Sequence, residues 1–219
     1  MSETTVSEAN TGIDFQASNI SEATIRIAGN SQDGIQSIGG FLARLAGRSE
    51  RDVMTMMTIP STIAGGPSIF QVRLGSGEVL SPGDKADVLF AFYQHSYDGH
   101  IKNLRKGGVM VYDSDHVEPR EECLTDYRHI GIAISSLTVE AIGGTGRDKG
   151  KNIYALGLIG RMFSLNTTKL ERLINERFSA KGESVAKTAM DAFQAGYRYQ
   201  GDDISNLFRL AKGGADRSH

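Results

Sequence analysis

The sequence has few of the residues from which redox centres and metal sites are built. Cys123 is its only cysteine, so this chain alone forms no disulfide, no cysteine-ligated zinc site and no iron–sulfur cluster. Its five histidines include His95 and His100, whose spacing does not place two ligands on one helical face. We therefore predict no metal site, and any redox cofactor has to come from another chain.

The chain also lacks an excess of charge of either sign and a long apolar run. Its 24 lysines and arginines nearly balance its 26 aspartates and glutamates, which argues against a nucleic-acid-binding surface as its main purpose. No apolar run approaches the roughly 20 residues that span a bilayer, and the polar start at Met1–Glu8 is unlike a signal peptide. The sequence thus predicts a cytoplasmic protein with no nucleic-acid or membrane partner.

Patterning along the chain predicts one α/β domain between two tails. Residues 1–22 have the polar composition of a flexible arm, residues 201–219 form a C-terminal tail, and residues 23–200 form the domain. Short β-branched runs predict strands at Thr24–Ala28, Val53–Ile59, Ile69–Leu74, Val88–Tyr93, Val109–Tyr112 and Ile130–Ile134. Helical periodicity predicts helices at Ile35–Ala46, His95–Leu104, Leu137–Ile142, Ile153–Phe163, Thr168–Phe178 and Ser184–Tyr199. The fold class is therefore three-layer α/β/α with a mixed, mostly parallel sheet and a helical C-terminal part.

Two local patterns refine the predicted sheet. The turn residues Gly75–Gly77 separate Ile69–Leu74 from Glu78–Leu80, which predicts a hairpin and hence some antiparallel pairing. Three closely spaced methionines predict a strand that is buried in the core or faces an interface, and the core is favoured. They are Met54, Met56 and Met57.

The most informative stretch is an apolar strand that leads through a glycine-bracketed turn into a helix. Gly29 and Gly34 permit backbone angles closed to other residues, and a helix beginning near Gly34 directs its unpaired N–H groups back at the turn. A carboxylate, phosphate or pyrophosphate fits such a turn. The spacing lacks the middle glycine of the dinucleotide fingerprint and the Lys-Ser/Thr of a Walker loop, so a purely structural turn is an equal alternative.

Two further glycine-rich loops are candidate binding loops. In Pro60–Ser68 the pair Gly65 and Gly66 precedes a proline, and such a pair lets backbone approach a ligand or a neighbouring chain, or serves only as a connector. The loop Gly143–Asn152 combines glycines with basic residues, and a solvated basic turn is favoured over a phosphate site there. The basic residues are Arg147, Lys149 and Lys151.

Polar side chains follow two of the predicted strands. His95 comes after Val88–Tyr93, where ligands of open α/β sheets collect, although a helix-cap or surface histidine is the favoured interpretation. Asp113, Ser114 and Asp115 follow Val109–Tyr112. Acidic residues follow strands in this way in nucleotide-binding folds, but an Asx turn is the favoured interpretation. We find no Ser/His/Asp arrangement with a nucleophile elbow, so no catalytic residue is assigned to this chain.

The order and spacing of several motifs resemble the gamma domain of the 2-oxoacid:ferredoxin oxidoreductases, over about residues 24–200. The likeness is greatest to the version at the N-terminus of fused alpha subunits of the 2-oxoglutarate enzymes. Ala64 and Ala189 depart from the family, which often has arginine and asparagine at these places. The motifs are Gly29-x-Ser31-x-Asp33-Gly34-Ile-Gln36, Pro60-x-x-x-Ala64-Gly65-x-x-x-Phe70-Gln71-Val72, Ser81-Pro-Gly-Asp84-x-x-Asp87, Asn152-x-x-x-Leu156-Gly157, Lys181-Gly-Glu183 and Ala192-Phe-x-Ala-Gly196-Tyr197.

The resemblance implies a gamma subunit of a multi-subunit enzyme that converts a 2-oxoacid, CoA and oxidised ferredoxin to acyl-CoA, CO2 and reduced ferredoxin. The oxoacid is pyruvate or 2-oxoglutarate. Thiamine diphosphate, Mg and iron–sulfur clusters are then expected in partner alpha, beta and cluster-bearing subunits. This chain would hold no cofactor and would be inactive alone.

The resemblance also places the first two loops beside the region where CoA enters. The residues expected near CoA are Gly29, Ser31, Asp33, Gly34, Gly65, Gly66 and Ser68. Two alternatives stay open, namely a free-standing NAD- or FAD-binding oxidoreductase domain and a purely structural subunit.

Overall fold

Strands and helices alternate through the part of the chain that the computed structural model describes, residues 18–47, 52–58, 66–75, 79–144, 150–201, 204 and 207–210. The strands are β1 (Ser18–Ile20), β2 (Glu22–Asn30), β3 (Asp52–Thr58), β4 (Pro67–Gly75), β5 (Ala86–Ala91), β6 (Leu104–Asp113), β7 (Arg128–Ile132) and β8 (Phe208–Leu210). The α-helices are α1 (Ile35–Gly47), α2 (Gln94–His100), α3 (Ile134–Ile142), α4 (Lys151–Met162), α5 (Thr167–Phe178) and α6 (Glu183–Tyr197).

The main sheet is mixed and mostly parallel, as predicted. Within the described residues it has the strand order β3-β4-β2-β5-β6-β7. Strands β2, β5, β6 and β7 run parallel, whereas β4 is antiparallel to both β2 and β3. The predicted hairpin after β4 is wrong, because Val79 and Leu80 lie outside any strand; the turn residues 76–78 fall outside the described ranges. The antiparallel pairing comes instead from β4 lying between β2 and β3.

Helices cover both faces of the sheet, which confirms the three-layer arrangement. Alternate residues of a strand point to opposite faces, and in β2 Ile25 and Ile27 contribute to the larger core while Ala28 contributes to the smaller one. Residues of α1 and α3 to α6 fill the larger core, and Tyr97 of α2 fills the smaller. The described helices include none that is long and apolar enough to cross a membrane.

Helices α4 and α6 make a close contact that accounts for two of the sequence motifs. A Cβ atom on Gly157 would collide with the carbonyl oxygen of Phe193, and one on Gly196 would collide with that of Tyr154. These glycines therefore let the two helix backbones approach each other.

A buried polar cluster lies on the opposite face of the sheet and accounts for two further motifs, those that contain Gln71 and Ser81–Asp84. The Gln71 side chain is fully buried, and its Nε2 donates to the carbonyl oxygens of Pro82 (2.6 Å) and Gly83 (2.7 Å). Its Oε1 accepts from Nε of Arg26 at 2.7 Å, and burial lowers the pKa of Arg26. Gln71 therefore fixes the loop that leads into β5.

Parts of both predicted tails form regular structure. Strands β1 and β8 pair in parallel with each other, and Ile204 is fully buried. Strand β2 begins at Glu22, one residue inside the predicted arm. Residues 1–17 and 211–219 lie outside the described ranges, so the domain boundaries at residues 22 and 201 stay predictions.

The methionines of β3 do not lie in the core, and the favoured interpretation was wrong for two of them. Met56 is 37% exposed and Met57 is 44% exposed. The reason is the place of β3 at the edge of the sheet, which the strand pattern does not specify. Met54 is half-buried.

Candidate functional site

The carboxyl ends of β2 and β5 open at a topological switch point. The two strands are parallel neighbours. Helix α1 follows β2 and packs on one face of the sheet, whereas α2 follows β5 and packs on the other. Open α/β sheets bind ligands in the crevice at such a point. The glycine-bracketed turn after β2 lies there.

That turn has the backbone that its glycines predict. A single 3-10 turn, Ser31–Asp33, follows β2, and Gly34 adopts φ 67° before α1 begins. A Cβ on Gly34 would lie 2.5 Å from Nδ2 of Asn152, and one on Gly29 would lie 2.7 Å from Cδ1 of Ile35. A side chain at either position would therefore displace neighbouring side chains, and Gly34 in addition needs the left-handed conformation that favours glycine.

The carboxylate of Asp33 fills the interior of the turn. Asp33 is 4% exposed, and its Oδ2 accepts from the backbone N–H of Asn30 at 2.7 Å. Its Oδ1 accepts from the hydroxyl of Tyr93 at 2.9 Å. Because an anion already occupies the turn, a pyrophosphate bound inside it would meet a negative charge.

A buried polar network extends from Asp33 across the ends of three parallel strands. Nζ of Lys151 donates to the hydroxyl of Tyr93 (3.2 Å) and lies 3.8 Å from Oδ2 of Asp113. Lys151 also lies over the Tyr93 ring, 4.5 Å from its centroid. The same Asp113 oxygen accepts from the hydroxyl of Ser135 at 2.6 Å. Lys151 and Asp113 are 2% and 0% exposed, so this ion pair lies within the protein interior.

The network corrects one prediction for the third loop and confirms another for the end of β6. Lys151 is not part of a solvated basic turn, since the ends of β5 and β6 enclose its side chain; Arg147 and Lys149 lie outside the described residues. The Asx turn at Asp113 is present, because its Oδ1 accepts from the backbone N–H of Asp115 at 3.3 Å.

The second predicted loop meets the first one, as far as it is described. The backbone N–H of Ser31 donates to the carbonyl oxygen of Gly66 at 3.0 Å, and Ser68 pairs with Gly29 across β2 and β4. The Ser68 side chain is 1% exposed, and its hydroxyl donates to the carbonyl oxygen of Thr58 at 3.1 Å. Gly65 lies outside the described residues.

Beside the turn an open cleft of about 440 Å³ lies between the first residues of α1, α4 and α6. The start of a helix carries unpaired N–H groups and a partial positive charge, so three of them around one cleft favour an anionic ligand. The polar lining residues are Asp33, Gly34, Ser37, Gly150, Asn152, Lys181, Ser184 and Thr188. The apolar lining residues are Ile153, Phe178, Val185 and Ala189.

The sequence motifs predict binding residues on one side of this cleft but not on the other. Asp33 and Gly34 were predicted, whereas Lys181, Ser184 and Thr188 were not. The available signal was the Lys181-Gly-Glu183 motif, since Gly182 with φ 114° immediately precedes α6. Ala189, where the resembling family is expected to have asparagine, makes the floor of the cleft apolar here.

The histidines near the switch point are surface residues. His95 and His116 are exposed, and each stacks on Tyr93 with ring centroids 5.6 Å apart. The favoured interpretation of His95 is therefore confirmed. The described part of the chain groups no three His, Cys, Asp or Glu side chains that could hold a metal ion.

A second aromatic cluster lies under α2, away from the cleft. The hydroxyl of Tyr97 lies 2.9 Å from Nε2 of His129, and Nδ1 of His129 lies 3.1 Å from the carbonyl oxygen of Tyr127. Burial raises the pKa of Tyr97 to about 12 and lowers the pKa of His129. With a neutral His129 that donates from Nδ1 and accepts at Nε2, both contacts are hydrogen bonds.

Fold and site together define a mixed α/β domain with an open cleft at a switch point of its sheet. The chain belongs to the pyruvate ferredoxin/flavodoxin oxidoreductase family, whose model matches residues 24–199. This match confirms the family that the sequence motifs indicated.

Known proteins similar to the chain agree with that assignment. Subunit KorA of 2-oxoglutarate oxidoreductase from Mycobacterium tuberculosis is 31% identical over 204 residues, which are 82% of this chain and 31% of KorA. A 2-oxoglutarate:ferredoxin oxidoreductase from Magnetococcus marinus, solved with 2-oxoglutarate, coenzyme A and succinyl-CoA bound, is 28% identical with a TM-score of 0.76. That match covers 89% of this chain and 34% of the solved chain. The present chain therefore spans about a third of the length of both.

A third comparison concerns the fold alone. The gamma subunit of a keto/oxoacid ferredoxin oxidoreductase from Geobacter sulfurreducens has a TM-score of 0.60 at 22% identity. The match covers 81% of this chain and 99% of that subunit. The fold is thus that of a gamma subunit, as the resemblance implied.

Proposed function

We propose that the chain is the gamma portion of a multi-subunit 2-oxoacid:ferredoxin oxidoreductase, which converts a 2-oxoacid, CoA and oxidised ferredoxin to acyl-CoA, CO2 and reduced ferredoxin. The family membership supports this function, as does the likeness to an enzyme solved with 2-oxoglutarate and coenzyme A bound. The chain completes the assembly in the cytoplasm and is inactive alone.

Thiamine diphosphate, Mg and the iron–sulfur clusters belong to the partner alpha, beta and cluster-bearing subunits in this proposal. Iron–sulfur clusters are held mainly by cysteine thiolates, and Cys123 is the single cysteine of this chain. The part of this chain in the reaction is therefore to bind and orient a substrate.

The cleft at the switch point is the proposed place where this chain contacts CoA, and its convergence of three helix starts carries the proposal. Asp33 brings a negative charge to the lining, whereas Lys181 and Ser184 lie at the start of α6 and offer donors, so a phosphate group of CoA lies toward the start of α6. Ile153, Phe178 and Val185 offer apolar surface to the less polar pantetheine arm. The other described residues that were predicted near CoA form the turn or the segment that pairs with it. They are Gly29, Ser31, Gly66 and Ser68.

Purification of the full chain from its source under native conditions tests the assembly. We expect partner chains that carry thiamine diphosphate and cysteine-ligated clusters, together with CoA-dependent reduction of ferredoxin by a 2-oxoacid. Recovery of the chain without such partners, with tight binding of NAD or FAD, would support the free-standing dehydrogenase domain instead. Partners without any effect of CoA on activity would favour a purely structural subunit.

A further inference from the structure

A second groove adjoins the cleft and carries two arginines. It has a volume of about 240 Å³ and lies between α1 and the last turn of α5. Its lining residues are Gln36, Ser37, Gly40, Phe41, Arg44 and Arg177. Four of these residues share one face of α1, because they are spaced at i, i+3, i+4 and i+7. They are Ser37, Gly40, Phe41 and Arg44.

The groove has free space above Gly40, and its two arginine side chains are accessible to a ligand. A Cβ on Gly40 would have no heavy atom within 4 Å, so the space above this glycine is empty. Arg44 and Arg177 are exposed, and neither guanidinium has an ion-pair partner among the residues that the structure describes. Arg172, in contrast, pairs with Glu176 on the same helix α5.

The donors of the groove match a phosphate monoester. A guanidinium presents paired N–H donors that suit two phosphate oxygens at once, and two guanidinium groups balance the charge of a dianion. Gln36 and Ser37 add an amide and a hydroxyl donor. A carboxylate would need only one of the two arginines.

The groove and the cleft form one continuous surface. Ser37 lines both, and the rings of Phe41 in the groove and Phe178 in the cleft lie 6.3 Å apart. From Ser37 to Arg44 the helix advances about 10 Å. A ligand that lies in the cleft can therefore extend a second phosphate to the arginines.

We propose that Arg44 and Arg177 bind a phosphate monoester, and that this group is the 3′-phosphate of the CoA molecule that occupies the cleft. The identity of the ligand rests on the proposed function, whereas the preference for a phosphate monoester rests on the groove. A comparison of CoA with CoA that lacks its 3′-phosphate shows whether the arginines bind this phosphate group.

The test compares the KM for CoA and for 3′-dephospho-CoA in the assembled enzyme carrying Arg44→Gln or Arg177→Gln. We expect each substitution to raise the KM for CoA about tenfold, since a charge-assisted hydrogen bond is lost, and to leave kcat and the KM for 3′-dephospho-CoA unchanged. Arg44→Lys should restore part of the affinity for CoA. Arg172→Gln is the control. It removes an exposed guanidinium that lies on α5, as Arg177 does, but outside the groove, and it should change neither KM.

Two outcomes would overturn the proposal. An equal effect of Arg44→Gln on both forms of CoA, or no effect on either, would show that the arginines do not contact the 3′-phosphate. Binding of inorganic phosphate to the enzyme that is lost in Arg44→Gln, with an unchanged KM for CoA, would assign the groove to free phosphate. The proposed function fails separately, if the unaltered assembly shows no dependence on CoA.

Discussion

At the residue scale, Tyr93 joins the turn after β2 to the buried ion pair. Its hydroxyl donates to Asp33 at 2.9 Å and accepts from Lys151 at 3.2 Å. A carboxylate and an ammonium group that are both nearly buried are stable only when their hydrogen bonds are made. Tyr93 therefore holds Asp33 inside the turn, where Asp33 also lines the cleft.

Tyr93→Phe removes that hydroxyl and little else. We expect a loss of about 1–3 kcal/mol in the free energy of unfolding, because Asp33 and Lys151 each lose a buried partner. Urea denaturation of the full chain measures the change. Tyr127→Phe is the control, since the Tyr127 side chain contacts His129 through its ring alone; equal stability of the two variants would contradict this role of Tyr93.

Residues of the turn could be predicted from the sequence, but the network around them could not. Gly29, Asp33 and Gly34 act within a few positions of one another, so a local motif shows them. Lys151 belongs to a stretch whose sequence predicts a solvated basic turn. It instead begins α4 and contacts Tyr93, 58 positions away, because the sheet brings the ends of β5 and β6 together. That meeting depends on strand order, which no local pattern contains.

At the element scale, the contact of α4 with α6 positions two of the three helix starts around the cleft. Gly157 and Gly196 let the backbones touch. Residues near the start of each helix line the cleft, so a change in the separation of α4 and α6 alters the width of the cleft.

Gly157→Ala tests that contact. Alanine is the better helix former by about 1 kcal/mol, yet its Cβ would collide with backbone atoms of α6, which cannot move aside as a side chain does. We expect a net destabilisation of about 1–3 kcal/mol, seen as a lower Tm. Gly99→Ala in α2 is the matched control, since its Cβ meets no atom within 4 Å. A Gly157→Ala variant as stable as Gly99→Ala would show that the helices are not in close contact.

The helices were predictable because their apolar residues recur with the helical period, and each lies within a few residues of its predicted bounds. The strand pattern located β2 to β7 equally well. It did not give the edge position of β3 or the antiparallel place of β4, because a strand's neighbours depend on pairing across long stretches of chain. Exposed Met56 and Met57 follow from that edge position.

At the scale of the whole molecule, the cleft is assembled from three helix starts that are far apart in the chain. Gly34 precedes α1, and Asn152 and Ser184 lie in the first turns of α4 and α6. Only the folded sheet and the packing of α4 against α6 bring them together. The sequence motifs identified the family without showing this arrangement. Ser37 then connects the cleft to the arginine groove.

The most direct test of the CoA-binding cleft is the KM for CoA of the assembled enzyme with Ser184→Glu, compared with Ser184→Gln. Ser184 is exposed and lies in the first turn of α6, where a carboxylate suits the helix dipole and leaves the fold intact. Gly34→Val is less suitable, because it also strains the turn and displaces Asn152.

The added charge should repel the phosphate groups of CoA at the start of α6. We predict that Ser184→Glu raises the KM for CoA at least about fivefold over Ser184→Gln, with the same Tm and an unchanged KM for the 2-oxoacid. Equal KM values for CoA in the two variants of an intact assembly would contradict the placement of CoA in this cleft.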